Sequence, residues 1–600
     1  MEFHVVGEYY VDIDEQRQLR IAGPGNHLFL GFTVISDDVD FSISEYTVDR
    51  GHVVVKVLFS ADEVRISYPL VCNIRTLRNH TEGVQPRPTY RDLARDEIAT
   101  LLPQEMEEYT KGSVHGLQFM RHFNEGETQR FYGASLEVAG DYTLSIDSGD
   151  IVLEGTRPLE LLIRTETNIP TESKFTAPIF KPESLPLTSL SESIQQLYEE
   201  AGQHIAYLVT SRKTSSFEYG TIFPRDWIEA AQLGVGDLST ETIDFMYEQS
   251  LKHVDESGQG WHEDIIGEFR YLSQDSEHVD RKMIDIEPLY ILGMERVSRQ
   301  FLLQEDTARK LRAIGRYIVT QAESRDVITF KKRGTDDGED YHEVGNWRDS
   351  LAAFPQQKPP IAPYDVNCIF YPEALSMILR FSDFFGFEDT SHLQQLIAQW
   401  QQQKNSFLVF FAANLRGYSL ALHGPELEPL SVAHLDESYD LYYGHPSLED
   451  TLSFADRILS EKYFYTPVGP ILVAATTEAL SEKHYHGKVI WPKQAAFAVA
   501  GLARQYRIGL RAGWPRLVMD HLYDAITRTA EACFRGWEEL GSVTELYYYD
   551  REQDRARFYL DQEGIEGQMS MIQLWSAAGC RRIIREYIKV RALHSEHYSP

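Results

Sequence analysis

The hydrophobic rhythm of the chain changes near residue 170. Before that point the apolar positions come in short runs, such as His52–Phe59 (HVVVKVLF) and the stretches 142–146, 151–153 and 159–163. These runs are rich in β-branched residues and bounded by Asp, Gly and Pro, which predicts strands joined by turns. An acidic, helix-like stretch over 91–109 interrupts them. Residues 1–168 therefore read as a β-sandwich with one elaborated connection, within the usual size of a domain. Residues 169–187 carry Pro170, Pro178, Pro182 and Pro186 without periodicity, which predicts an extended linker.

From 188 to 600 the spacing becomes helical. Apolar positions recur at helical intervals over 190–211, 239–253, 284–301, 307–322, 371–385, 390–404, 494–505, 515–535 and 569–587. A succession of this length suits a closed double ring of helices, an (α/α)6 toroid. A solenoid of the same size would show an internal repeat, and none is visible. Six hundred residues also exceed what one hydrophobic core supports, so a mainly α unit preceded by a β unit is the expected architecture.

Composition narrows the partners. A formal charge of −33 leaves no basic surface for a phosphate backbone, which excludes nucleic acid. Such acidity suits a neutral substrate. No apolar run approaches the length of a membrane span, and residues 1–18 show neither the basic nor the apolar region of a secretory signal. Cys72, Cys368, Cys533 and Cys580 lie far apart, as reduced thiols in a cytoplasm would, without disulfide or zinc spacing. The Asn79-His80-Thr81 sequon has no secretory context to give it meaning.

Five loop windows combine Trp, Tyr, carboxylates and Arg with Gly or Pro. They are Gly220–Trp227, Gly345–Ser350, Pro363–Asn367, Tyr485–Pro492 and Gly541–Asp550. Sugars stack their C–H faces on aromatic rings and pair their hydroxyls with carboxylates and guanidinium groups, so this composition fits a carbohydrate cleft. Each window also has an ordinary structural explanation. Asp226, Asp349, Asp365 and Asn367 can cap helices, His486 can be a buried core histidine, and the three tyrosines from Tyr547 to Tyr549 can edge a strand.

The order of the windows adds information that no single one carries. Arg225-Asp226-Trp227, Asp285–Tyr290, Gly345-Asn346-Trp347-Arg348-Asp349, Asp365–Leu375, Tyr465–Gly469, Tyr485–Pro492, Thr544-Glu545-Leu546 and Met571–Gly579 follow one another. Together they resemble the glucosidase domain of glycogen-debranching enzymes, the amylo-α-1,6-glucosidase group, and its (α/α)6-barrel relatives among the six-hairpin glycosidases. Departures cluster around the presumed sugar. Trp227 stands where Thr is usual, Asp365 replaces Glu, Gly487 comes one place early, and Lys493 follows Trp-Pro where an aromatic is common.

The resemblance implies a hydrolase of an α-glucosidic bond with Asp349 as general acid and Glu545 as general base. Inversion by such a pair places the carboxyl groups roughly 6.5–9.5 Å apart, with the acid protonated and the base ionised. Trp347 offers Asp349 an apolar wall, and the tyrosines beside Glu545 suit a charged base. Arg225, Asp226 and Trp227 would grip the terminal glucose, joined by Asp285, Trp347, Arg348, Asn367, His486, Trp491 and Trp575, with Trp261-His262-Glu263 as a further contact. Neither cofactor nor metal is implied. Rival readings are a hydrolase of a small glucoside such as a glucosylglycerate or trehalose, a sugar epimerase drawing on His342, His445, His484 and His486, and a non-catalytic sugar-binding barrel.

Overall fold

The structure, a computed structural model, describes residues 2–598 except 7–8, 14–16, 24–26, 50–51, 75–103, 126, 170–174, 183–184, 217–219, 265–279, 335–339, 343, 351, 355–358, 413–414 and 567–568. Two compact units result. One holds the residues up to Thr176 with Tyr207–Thr221; the other holds Ala177–Ala206, Ile222–Asp264 and the chain from 280 onward.

The first unit is built of antiparallel sheets. One has the order β1 (Glu2–Val6), β2 (Tyr9–Ile13), β3 (Gln18–Ala22), β4 (His27–Thr33) and β8 (Leu70–Asn73). A second has the order β5 (Phe41–Asp49), β6 (His52–Phe59), β14 (Leu159–Thr167), β11 (Thr128–Ala139), β10 (Val114–Glu125) and β9 (Glu105–Lys111). A small third sheet joins β12 (Thr143–Asp147), β13 (Asp150–Glu154) and β7 (Glu63–Ile66). Alternation explains the core: β6 buries Val53, Val55, Val57 and Phe59, which pack with Leu19, Ile21, Phe32, Phe119, Leu136 and Ile163. The helix expected over 91–109 is corrected in its described part, where Glu105–Lys111 is the edge strand β9 paired with β10. Residues 91–103 lie outside the described residues.

Part of the expected linker also has partners. Ile179 and Lys181 exchange backbone hydrogen bonds with Ser239 and Asp237, so this stretch is tied to the loop before a helix.

The second unit is helical. Its principal helices are α1 (Glu192–Thr210), α2 (Pro224–Leu233), α3 (Thr240–Leu251), α4 (Ile286–Leu292), α5 (Glu305–Ser324), α6 (Tyr371–Arg380), α7 (Thr390–Gln403), α8 (Ser438–Tyr443), α9 (Leu448–Ile458), α10 (Pro492–Ala512), α11 (Arg516–Leu540) and α12 (Leu574–Tyr598). A wide turn, Asp365–Phe370, opens α6. The expected helix over 284–301 is split, ending at Gly293 and restarting as one turn under the Ser298 cap.

Burial sorts these helices into two kinds. All of α2, most of α4, the opening of α6, and the first halves of α10 and α12 are buried on every side. By contrast α5 buries one stripe, Ala308, Leu311, Ile314, Ile318 and Ala322, and α7 another, Leu393, Leu396, Ile397 and Trp400. The wholly buried set packs in sequence: α2 on α4, α4 on α6, the opening turn of α6 on α8, α8 on α10, α10 on α12, and α12 back on α2. Small residues permit the close approaches. A Cβ on Gly501 would come within 2.7 Å of Leu441 Cβ, and one on Gly579 within 2.9 Å of the Pro492 carbonyl.

Candidate active site

The candidate residues collect at the N-terminal ends of the buried helices. Arg225 and Asp226 lie in the first turn of α2, Asp285 precedes α4, Asp365 opens the turn into α6, Asp436 precedes α8, Lys493 is in the first turn of α10, and Gln573 precedes α12. Unpaired backbone N–H groups make that end of a helix a favourable place for carboxylates.

Arg225 joins three of them. Its Nη2 lies 3.3 Å from Asp349 Oδ2, its Nη1 3.5 Å from Asp285 Oδ2, and its Nε 3.6 Å from Asp226 Oδ1. Gln573 Nε2 then bridges Asp226 Oδ2 at 3.5 Å and Glu545 Oε1 at 3.3 Å. Asp349 and Glu545 are therefore the two ends of one polar chain that runs through Arg225, Asp226 and Gln573. Glu545 also accepts from the Tyr485 hydroxyl at 2.8 Å and from the Ser570 N–H at 2.8 Å.

The two carboxyl groups sit in unlike surroundings. Burial pushes Glu545 up to about 8, against the donors that favour its charged form. Burial acts on Asp349 in the same direction, but contact with His262 and the Arg225 charge outweigh it and hold Asp349 well below the usual carboxylate range. At neutral pH the proton expected on Asp349 thus belongs to Glu545 in the free site. The raised acid expected from an apolar wall at Trp347 is thereby corrected, and the Trp347 ring packs on His486, Trp491 and the Lys493 ammonium. The tyrosines next to Glu545 are directed elsewhere as well: Tyr547 donates to the Val468 carbonyl and Tyr549 to Asp554. The hydroxyl that reaches Glu545 comes from Tyr485.

An aromatic cluster stands beside this polar chain. His486 stacks on Trp491 with ring centroids 5.2 Å apart, and Trp491 meets Trp347, Tyr485 and Trp575 edge to face at 5.7, 5.1 and 5.8 Å. Ser350 Oγ holds His486 Nδ1 at 2.9 Å, and burial pushes that imidazole down to about 3, so it is neutral. Beneath the rings Lys493 lies 4.0 Å from the Trp347 centroid and 4.1 Å from that of Trp575, paired with Glu229 at 2.9 Å.

Several sequence candidates prove to be fully occupied by the fold. Arg348 has no exposed side-chain surface. It forks onto Asp436 at 2.7 and 3.0 Å and donates to the His486 carbonyl, locking the Asp349 turn to the His486 loop. Asn367 pins the Ile328 backbone through both its amide atoms and donates to Pro363. Trp227 differs from these: its ring is buried against Phe245, but its Nε1 has no hydrogen-bond partner in the protein.

Other atoms are left for a ligand. Asp226 Oδ1, Asp285 Oδ1, Arg225 Nε, Trp575 Nε1 and His486 Nε2 are buried without a hydrogen-bond partner in the protein. Alternating acceptors and donors of this kind match sugar hydroxyls. Asp349, with 23% of its side chain exposed, is the most accessible carboxyl of the network. Burial lifts Asp226 to about 7 and Asp285 to about 6.

Sequence reasoning passed over Gln573, Tyr485 and Asp280, although the first two stand inside motifs it quoted. Asp280 lies 2.9 Å from Nδ1 of His262, whose Nε2 is 3.2 Å from Asp349. The His342 side chain lies outside the described residues. Among the described residues no cluster of His, Cys, Asp and Glu could hold a metal ion, and no helix is long and apolar enough to cross a membrane.

No protein-family model matches this chain, and no curated protein matches its sequence. Solved structures do match. A mannosylglycerate hydrolase of GH63 from Thermus thermophilus, in complex with glucose, gives a TM-score of 0.43 at 12% identity, covering 65% of this chain and 100% of that one. A bacterial glucoamylase in complex with acarbose gives a TM-score of 0.51 at 10% identity and covers 97% of this chain and 86% of its own. At that identity the likeness is one of architecture, and the chain has a glucoamylase-like fold.

Proposed function

We propose that this protein is a glycoside hydrolase that removes a terminal glucose from an α-glucosidic bond with inversion, as an α-1,6-glucosidase of debranching type. The observation that carries the reading is the pair Asp349 and Glu545, placed at opposite ends of one buried network and held in unlike electrostatic states. Two carboxyl groups whose affinities for a proton are driven apart are what acid–base cleavage of an acetal requires. The helical unit is read as an (α/α)6 toroid, supported by the return of α12 onto α2.

In this mechanism Asp349 protonates the leaving oxygen, and Glu545 takes a proton from a water that attacks the opposite face of the sugar. Arg225, Asp226 and Asp285 grip the hydroxyls of the glucose, and Trp575 and Trp491 form its wall. A glucose enclosed in this way is a chain end, so cleavage is exo. Small glucosides of the glucosylglycerate or trehalose kind present the same terminal glucose.

The test is release of glucose from limit dextrin, isomaltose, trehalose and a glucosylglycerate, with the first-formed anomer read by NMR. β-Glucose from limit dextrin or isomaltose is the expected product. Turnover of the small glucosides alone overturns the debranching assignment, and α-glucose as first product overturns Glu545 as base.

A further inference from the structure

Asp349 meets two cations, and only one of them can give up a proton. Arg225 is fixed in its charge. His262 is not. It lies just before residue 265, its ring packs edge to face on Phe223 at 5.2 Å, Nδ1 is hydrogen-bonded to one carboxylate, and Nε2 lies close to a second with no hydrogen bond formed. Nδ1 is 2.9 Å from Asp280 Oδ2 and Nε2 is 3.2 Å from Asp349 Oδ2. Asp280 is itself fixed, because Lys282 Nζ lies 3.3 Å from its Oδ2 and the Lys282 N–H donates to its Oδ1 at 3.0 Å.

We propose that His262 stores the proton that Asp349 delivers, so that the acid of the reaction is the His262–Asp349 pair anchored by Asp280. This inference rests on the reading of Asp349 as general acid. The cycle starts with the stored proton on His262 Nε2 and with Asp349 as a carboxylate. When a glycosidic oxygen approaches, the Nε2 proton passes to Asp349 and from it to the leaving oxygen, while the water oxygen bonds to the anomeric carbon. The C–O bond breaks, and Glu545 takes one proton from the attacking water. The imidazole is left neutral with its Nδ1–H on Asp280. Solvent returns a proton to Nε2 and removes one from Glu545, so the cycle balances as one water added across the bond. The charged groups facing the ring are Asp280, Lys282 and Asp349, with Arg225 behind Asp349. Burial and Lys282 push His262 down, but the two carboxylates outweigh them and raise it above the ordinary imidazole value. The shift favours a proton on the pair without any need to raise Asp349.

His262 acts through Asp349 and does not touch the sugar, so its role is separated from mere packing by the leaving group. The H262Q protein keeps a donor toward Asp349 but has no proton to lend. On the glucoside that the unaltered protein cleaves fastest, kcat/KM is expected to fall by ~10² or more. On α-glucosyl fluoride, whose leaving group needs no proton, it should change by less than about threefold. Equal losses on both substrates overturn the inference. If H262Q does not fold, D280N gives the same comparison, with the alkaline limb of the alcohol-releasing reaction moved to lower pH and the fluoride profile unchanged; an unmoved limb overturns the proposal. D349N separates the two levels of argument. If it spares fluoride hydrolysis while H262Q slows both substrates alike, the acid reading stands and the His262 proposal falls. If D349N slows both alike, the acid reading itself fails.

Discussion

Glu545 is surrounded by donors and yet is protonated, and that conflict can be measured. Tyr485, Ser570 and Gln573 all direct hydrogens at its oxygens, which lowers the cost of charge. Only 1% of the residue is exposed, however, and burial prevails, pushing the carboxyl up to about 8. A base must be ionised to act. With a pKa of about 8, roughly one-tenth of the free protein carries the charged base at pH 7 and roughly one-hundredth at pH 6. A natural glucoside conceals this, because the product of acid and base occupancies gives the same bell whichever carboxyl has which role. α-Glucosyl fluoride removes the acid from the rate law. Its kcat/KM, which reports the free protein, should rise about tenfold per pH unit from pH 6 and level off above about pH 8. The assay is fluoride release at substrate concentrations far below KM, in buffers of constant ionic strength. A profile that stays flat from pH 6 to 9 would refute the reasoning, since the group that accepts the water's proton would then already be ionised, as Asp349 is.

Two further outcomes follow from the buried charges. Arg348 ties the Asp349 turn to Asp436 and to the His486 loop, so R348M should destabilise the protein by ~3–5 kcal/mol by leaving buried Asp436 without its guanidinium partner. Adding D436N should recover most of that loss in denaturant titrations, whereas a sugar-binding Arg348 would instead raise KM at unchanged stability. Thermal stability should also be greatest on the acid side of neutrality. Glu545, Asp226, Glu287 and Asp285 are raised to about 8, 7, 7 and 6, so the stability they contribute is fully present below their unfolded values near pH 4 and lost as pH rises through those folded values. Asp349 and Asp436 are lowered, so their contribution is present above the unfolded value and lost only in strong acid. Melting curves from pH 4 to 9 should therefore decline from about pH 4 and level off above about pH 8; a maximum above pH 8 would contradict the burial of these groups.

How far the site could be read from the chain depends on direction as much as on identity. The residues at helix starts, Arg225, Asp226 and Asp285, were legible because a helix N-terminus fixes both place and partner. Arg348 and Asp349 are neighbours in an irregular turn, where no periodicity states which way a side chain leaves the backbone. One forks inward onto Asp436 and the other meets Arg225 and His262. Asn367 is directed by a related constraint, since it supplies side-chain partners to the Ile328 and Pro363 backbone beside a wide helical turn. His262 and Asp280 stand 18 positions apart in the sequence, a separation that carries no spacing signature. The helical half of the fold was legible in its stripes, while α2 and α8, buried on all sides, have little amphipathic period to find. Composition hid β9, whose exposed Glu107 and Glu108 resemble a solvated helix face.

Charge at this end of the helices is arranged for a cation. Even with Glu545 and Asp365 neutral, Asp226, Asp285, Asp349 and Asp436 outnumber Arg225, Arg348 and Lys493, and the helix N-termini offset part of that excess. The cations have set tasks: Arg348 is spent on Asp436, and Lys493 lies between two indole rings with Glu229, with no surface of its own to meet a ligand. The Trp347–ammonium–Trp575 stack fills this position and adds a positive charge that acts to lower Asp226 against its burial. What faces a sugar is then Asp226, Asp285 and Asp349 around a single guanidinium. An oxocarbenium-like transition state gains positive charge as the bond breaks. Carboxylates already held in place by Arg225, Gln573 and His262 need no reorganisation to meet it, and that is the condition under which buried electrostatics favour the transition state over the neutral substrate.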